Sequence, residues 1–96
     1  MHVTIRRYPG CQNAKEVNRV AVAELLPVLR AVPGFRSYTI VDTGPGSILS
    51  IGVFDSEESA EAANARAREV VARTGMASLL PNPPEITIGV LMSDAR

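Results

Sequence analysis

Alternation opens the chain. HVTIRRY, residues 2 to 8, is rich in β-branched residues, repeats at period two and ends at Pro9-Gly10, which predicts a strand. From residue 14 the period lengthens. At about 100° per residue, Val17, Ala21, Val22, Leu25, Val28, Leu29 and Val32 fall on one broad arc, predicting a helix over residues 14 to 32. Pro27 removes one backbone donor inside it and should bend it, and Pro33-Gly34 stops it. FRSYTIV, TGPG and SILSIGVF then read as a hairpin turning at Gly44, Pro45 and Gly46. Asp55 or Ser56 can cap a second helix, with Glu57 and Glu58 in its first turn where the dipole favours negative charge. Its inward arc carries Ala60, Ala63, Ala67, Val70 and Val71, and it runs to about residue 73. A short helical piece, MASLL, and the linker PNPP lead into a last strand, EITIGVLM.

The order β-α-β-β-α-β, without repeat or second domain, predicts an α+β fold over residues 1–96. It is the ferredoxin-like arrangement, a four-stranded antiparallel sheet with two helices on one face. The third and fourth strands add a constraint. SILSIGVF is apolar at Ile48 and Phe54 on one side and at Leu49, Ile51 and Val53 on the other. ITIGVLM sets Ile86, Ile88, Val90 and Met92 against Leu91. Two helices cover only one face of such a sheet, so the other would expose an apolar patch that monomers rarely carry. A second copy, sheet against sheet, is the simplest cover, which predicts a homodimer.

Composition narrows the function classes. Ten basic and ten acidic residues cancel, so the broad positive footprint of a nucleic-acid binder is missing. No apolar run approaches the roughly 20 residues that span a bilayer, so no membrane partner is expected. MHVTIRRYPG reads as a strand and not as a signal peptide, leaving the cytoplasm as the expected compartment. Cys11 is the single cysteine and His2 the single histidine; together they make neither a disulfide nor a usual zinc site, so no metal is expected. No nucleotide-binding loop or nucleophile elbow occurs, and no cofactor is expected.

The candidates for chemistry are few. Asn18 lies inside the first apolar arc, where a buried amide must bond either backbone or a ligand. Asn64 sits at the edge of the alanine-rich arc. Those alanines either let the second helix approach the sheet closely or leave a pocket beneath it. Tyr38 and Arg36 share one strand face in the alternation, with Phe35 on the opposite one. Tyrosine can donate to a developing anion and arginine can stabilise an enolate or phenolate, though such a strand is also ordinary at a sheet edge. Ser50 interrupts an apolar strand and points either to backbone or into a cavity. Asn18, Ser50 and Phe35 are thus candidate ligand-binding residues.

PGFRSYTI, followed by the hairpin and FDSEESAEAANARAREVV…LLPNPPEITIGVL, resembles the antibiotic biosynthesis monooxygenase-like family, a branch of the dimeric α+β barrel superfamily. The resemblance extends from the first strand to Met92, and PGFRSY and PNPPEIT are most similar to small bacterial relatives of unassigned function. It implies a dimeric α+β barrel. It also implies either cofactor-free oxygenation of a phenolic or enolisable compound or haem cleavage. In the oxygenating relatives Asn, Trp, Tyr and Arg line the pocket. Asn64, Tyr38 and Arg36 are the candidate catalytic counterparts here, and the chain has no tryptophan. The haem-cleaving relatives use an Asn, a Trp and a His ligand; the missing Trp and the position of His2 disfavour haem. The other function class is a non-enzymatic dimeric module that binds a small hydrophobic or aromatic molecule.

Overall fold

The computed structural model describes residues 1–95. Strand β1 (His2–Pro9) leads into helix α1 (Ala14–Val20), a π-helical stretch (Ala21–Leu25) and helix α2 (Leu26–Arg30), which together form one continuous rod. Strands β2 (Phe35–Gly44) and β3 (Ser47–Phe54) form the hairpin. Helix α3 (Glu57–Thr74), a 3-10 turn (Met76–Ser78) and strand β4 (Glu85–Val90) complete the chain. The sheet order is β2-β3-β1-β4 and each neighbouring pair is antiparallel. This is the expected ferredoxin-like α+β fold, with both helical elements on one face.

Local chemistry fixes the element ends. The Asn13 side chain accepts from the Glu16 N–H at 3.1 Å and starts α1. Ser56, not Asp55, caps α3 by accepting from the Ser59 N–H at 3.2 Å. Gly75, at φ +76, ends α3 in the left-handed region that a side chain would resist.

The interruption of the first helical rod has a readable cause. Its buried stripe is Val17, Ala21, Leu25 and Leu29, one residue every four. In a regular α-helix that repeat drifts about 40° around the axis at each step. The wider π turn absorbs the drift, with the Leu26 N–H reaching back five residues to the Ala21 carbonyl. It lies immediately before Pro27, whose ring and missing N–H disfavour a regular α turn there.

Residues opposite each other in the ladders share a face. Thr4, Gly52 and Tyr38 are aligned across three strands, as are Arg6, Ser50 and Ile40, and these look towards the helices. Val3 with Val53 and Ile5 with Ile51 lie on the opposite face, which no helix or strand among the described residues covers. The core between sheet and helices gathers Val17, Leu25, Leu29, Ile48, Phe54, Val70 and Met76.

Leu29 is 2% exposed whereas Val22, seven residues earlier, is 52% exposed. Leu29→Ala is expected to destabilise the protein by about 2–5 kcal/mol in urea unfolding. Val22→Ala is expected to change it by less than about 0.5 kcal/mol. Equal losses would mean that the buried stripe follows another phase.

Candidate functional site

Between the sheet and the helices lies a cavity of about 640 Å³, within the range of small-molecule sites. It exists because little side-chain volume meets there. The facing surface of α3 offers Ala63 and Ala67, and the middle of the sheet offers Thr4, Ser50 and Gly52. A side chain at Gly52 would begin 3.0 Å from the Phe54 ring and 3.5 Å from the Tyr38 ring, so glycine leaves both rings room above the sheet. The cavity opens beside β4. There the lining residues Ile86 and Ile88 are exposed, and the linker at 81–84 forms the rim. Asn82 holds that linker to β1 by donating to the Pro9 carbonyl at 3.1 Å.

The polar part of the wall comes from three directions. β1 supplies Thr4, Arg6 and Tyr8; β2 and β3 supply Tyr38 and Ser50; α3 supplies Asn64 and Arg68, with Asn82 at the linker rim. Thr4 and Ser50 are buried, and their hydroxyl oxygens lack a hydrogen-bond partner. Burial pushes the Tyr8 hydroxyl above its ordinary value near 10.0. The Arg6 guanidinium opposes that shift and Tyr38 adds to it, so these groups sense one another's charge.

Tyr38, Asn64 and Ser50 therefore stand on one chamber wall. The other three sequence candidates do not. Asn18 is exposed: the π turn shifts the phase between the halves of the rod, so a wheel drawn at constant pitch misplaces it. Arg36 does not share the face of Tyr38, because a bulge intervenes. Pairing steps from Phe35 opposite Phe54 to Ser37 opposite Val53, leaving Arg36 as the extra residue. It is exposed and ion-paired to Asp55, outside the chamber. The same bulge turns Phe35 to the helix side, where its ring meets Phe54 edge-on at 6.0 Å and packs with the core, not on the chamber wall. So the two aromatic residues of PGFRSYTI face the same side, one as packing and one as lining.

Among the described residues, no three His, Cys, Asp or Glu side chains gather as a metal site would require. No helix of the described chain is long and apolar enough to cross a membrane.

Solved structures share this architecture. A monooxygenase from the gene ActVA-Orf6 of Streptomyces coelicolor, in complex with nanaomycin D, superposes with a TM-score of 0.77 at 22% identity, over 99% of this chain and 90% of that one. SnoaB, a cofactor-independent oxygenase from Streptomyces nogalater solved as an asparagine-to-alanine variant, gives 0.74 at 16% identity, over 97% and 94%. A protein of unknown function from Nitrosomonas europaea gives 0.73 at 22% identity, over 99% and 92%. The chain has the fold of the antibiotic biosynthesis monooxygenases. No family model matches the sequence, and no curated protein matches it. The monooxygenase fold is thus shared with both oxygenases and a protein of unknown function.

Sequence reasoning missed Thr4, Arg6 and Tyr8. The signal was present in HVTIRRY, whose even positions form a polar row, but alternation alone assigns the apolar Val3 and Ile5 to the inward side. The reverse holds: the polar row faces the helices.

Tyr8 holds its proton more tightly when folded, so its contribution to stability is complete below about pH 10 and is lost as pH rises through the raised value. Urea midpoints at about pH 9 and about pH 11 should fall less in Tyr8→Phe than in the wild-type protein. An identical fall in both would mean that Tyr8 titrates as it does in the unfolded chain.

Proposed function

We propose that the protein is a homodimer that takes a flat aromatic compound with a phenolic or enolisable group into this chamber. It oxygenates that compound with molecular oxygen and no cofactor. The observation that carries the reading is the placement of Tyr38 and Asn64 on the wall of a largely aliphatic chamber of about 640 Å³. Each can donate a hydrogen bond to a substrate oxygen, and such donors gain strength where water is excluded. Holding the ionised form of a phenol makes the substrate electron-rich enough to reduce oxygen itself. One oxygen atom then enters the ring and the other leaves as water. A phenol and O₂ give a quinone and H₂O, with four electrons passing from substrate to oxygen. Two structural neighbours support this reading by what they are: one holds nanaomycin D and one is a cofactor-independent oxygenase. Arg36, ion-paired outside the chamber, has no part in it. Half-buried Cys11, a free thiol, suits a reducing cytoplasm.

The test is oxygen uptake over a panel of hydroxylated aromatics, with a metal chelator alongside. Turnover should rise with pH as the substrate ionises. Asn64→Ala and Tyr38→Phe should each lower it by about 10-fold or more, as loss of an oxyanion donor does, while the melting temperature changes little. Loss of turnover on chelation would overturn the cofactor-free mechanism. The dominance of aliphatic lining also favours a second reading, a binding module without chemistry. Micromolar binding without oxygen uptake would establish that reading instead.

The proposed dimer rests on the uncovered sheet face, where Val3, Ile5, Leu49, Ile51 and Val53 lie together. Pairing two such faces should bury more than about 1,200 Å². Light scattering should report a dimer, and Ile51→Glu should give a monomer or an unfolded chain. A wild-type monomer would contradict the assembly.

A further inference from the structure

Arg6 stands apart from the other charged residues of this fold. It is half-buried, lines the chamber, and has no carboxylate partner among the described residues. By contrast Arg7, Arg19, Arg36 and Arg73 each pair with an acidic side chain at the surface, and Lys15, Arg30, Arg66 and Arg68 are exposed to water. Among the described residues the chamber wall includes Arg6 and Arg68 but no aspartate or glutamate, in a chain whose formal charges sum to zero. Ser50 lies directly opposite Arg6 in the β1–β3 ladder, and Thr4 is the next residue along the same strand face. Both hydroxyls are buried without a partner. A guanidinium and two hydroxyls at neighbouring positions of one sheet face offer several donors to the same side of the chamber, and a partly desolvated cation gains most from an anion that accepts two bonds at once.

We propose that Arg6, with Ser50 and Thr4, forms an anion-recognition subsite that makes the chamber selective for an aromatic compound bearing a carboxylate. The inference rests on the reading of the chamber as a ligand site and specifies the class of ligand. Asn64 on α3 and Tyr38 on β2 approach the chamber from other elements, so the carboxylate end and the hydroxylated end of one molecule would have separate attachment points. A carboxylate of ordinary acidity is ionised throughout the neutral range, so its recognition does not require deprotonation by the protein.

Three probes of one ring system test this by calorimetry at about pH 7: naphthoate, naphthol and naphthalenemethanol. Naphthoate should bind the wild-type protein at least about 10-fold more tightly than the neutral alcohol. Arg6→Met should weaken naphthoate roughly 10- to 100-fold, the range for a charge-assisted bond, while the alcohol changes less than about 3-fold. Retained binding of the alcohol shows that this variant still folds around its chamber, and Arg6→Lys should recover part of the loss. Equal affinity for naphthoate and the alcohol, or equal weakening of both by Arg6→Met, would overturn the subsite. So would a loss of naphthoate binding with Arg68→Met and none with Arg6→Met. Binding of naphthol and the alcohol without naphthoate removes the subsite but leaves the chamber as a ligand site. Failure of all three probes removes both.

Discussion

The rest of the structure depends on how little side-chain volume α3 sets against the centre of the sheet. Ala60, Ala63 and Ala67 come round on its inward face, and Thr4, Ser50 and Gly52 meet them from below. Protein interiors normally close such gaps, because unfilled volume forfeits dispersion contacts. Here Val70, Val32 and Ala60 are buried away from the chamber, while Leu29, Phe54 and Met76 are buried along its wall, and the middle stays open. A space kept open beside buried, unpartnered hydroxyls is better suited to a ligand than to further packing.

The two faces of the sheet divide the labour in an unusual way. The helix-facing side carries a row of Thr4, Arg6 and Tyr8 on its β1, residues expected on a solvent face. The side without helices carries Val3, Ile5, Leu49, Ile51 and Val53. Chamber and proposed dimer are then two consequences of one alternation on β1: polar groups turn inward to line the chamber, and apolar groups turn outward on the face proposed to pair. A one-residue slip of β1 would exchange these rows and abolish both.

The fold was legible because it follows from periodicity, the strand and helix lengths and the turn residues at Pro9-Gly10, Pro33-Gly34 and Gly44–Gly46. The open chamber was half legible: alanines on α3 allow a cavity but equally allow close packing, and only the sheet side chains beneath decide between them. Three of the six site candidates lie outside the chamber, where the chain departs from regular geometry. The π turn before Pro27 rotated Asn18 out to solvent, and the bulge at Arg36 reversed its neighbours' faces. Neither irregularity is visible to a reading that assumes constant pitch and strict alternation. Arg6 was overlooked for a different reason, since a charged residue in an alternating strand is ordinarily placed on the solvent side.

Amide chemical-shift mapping with naphthol tests the chamber most directly, because it needs neither turnover nor the identity of the natural ligand. Perturbations should gather on β1, β3 and the Ala63–Ala67 segment of α3, with the Asn64 side-chain amide among them. Shifts confined to the hairpin turn at 43–47 or to the outward sheet face, with the chamber residues unmoved at saturation, would contradict the assignment.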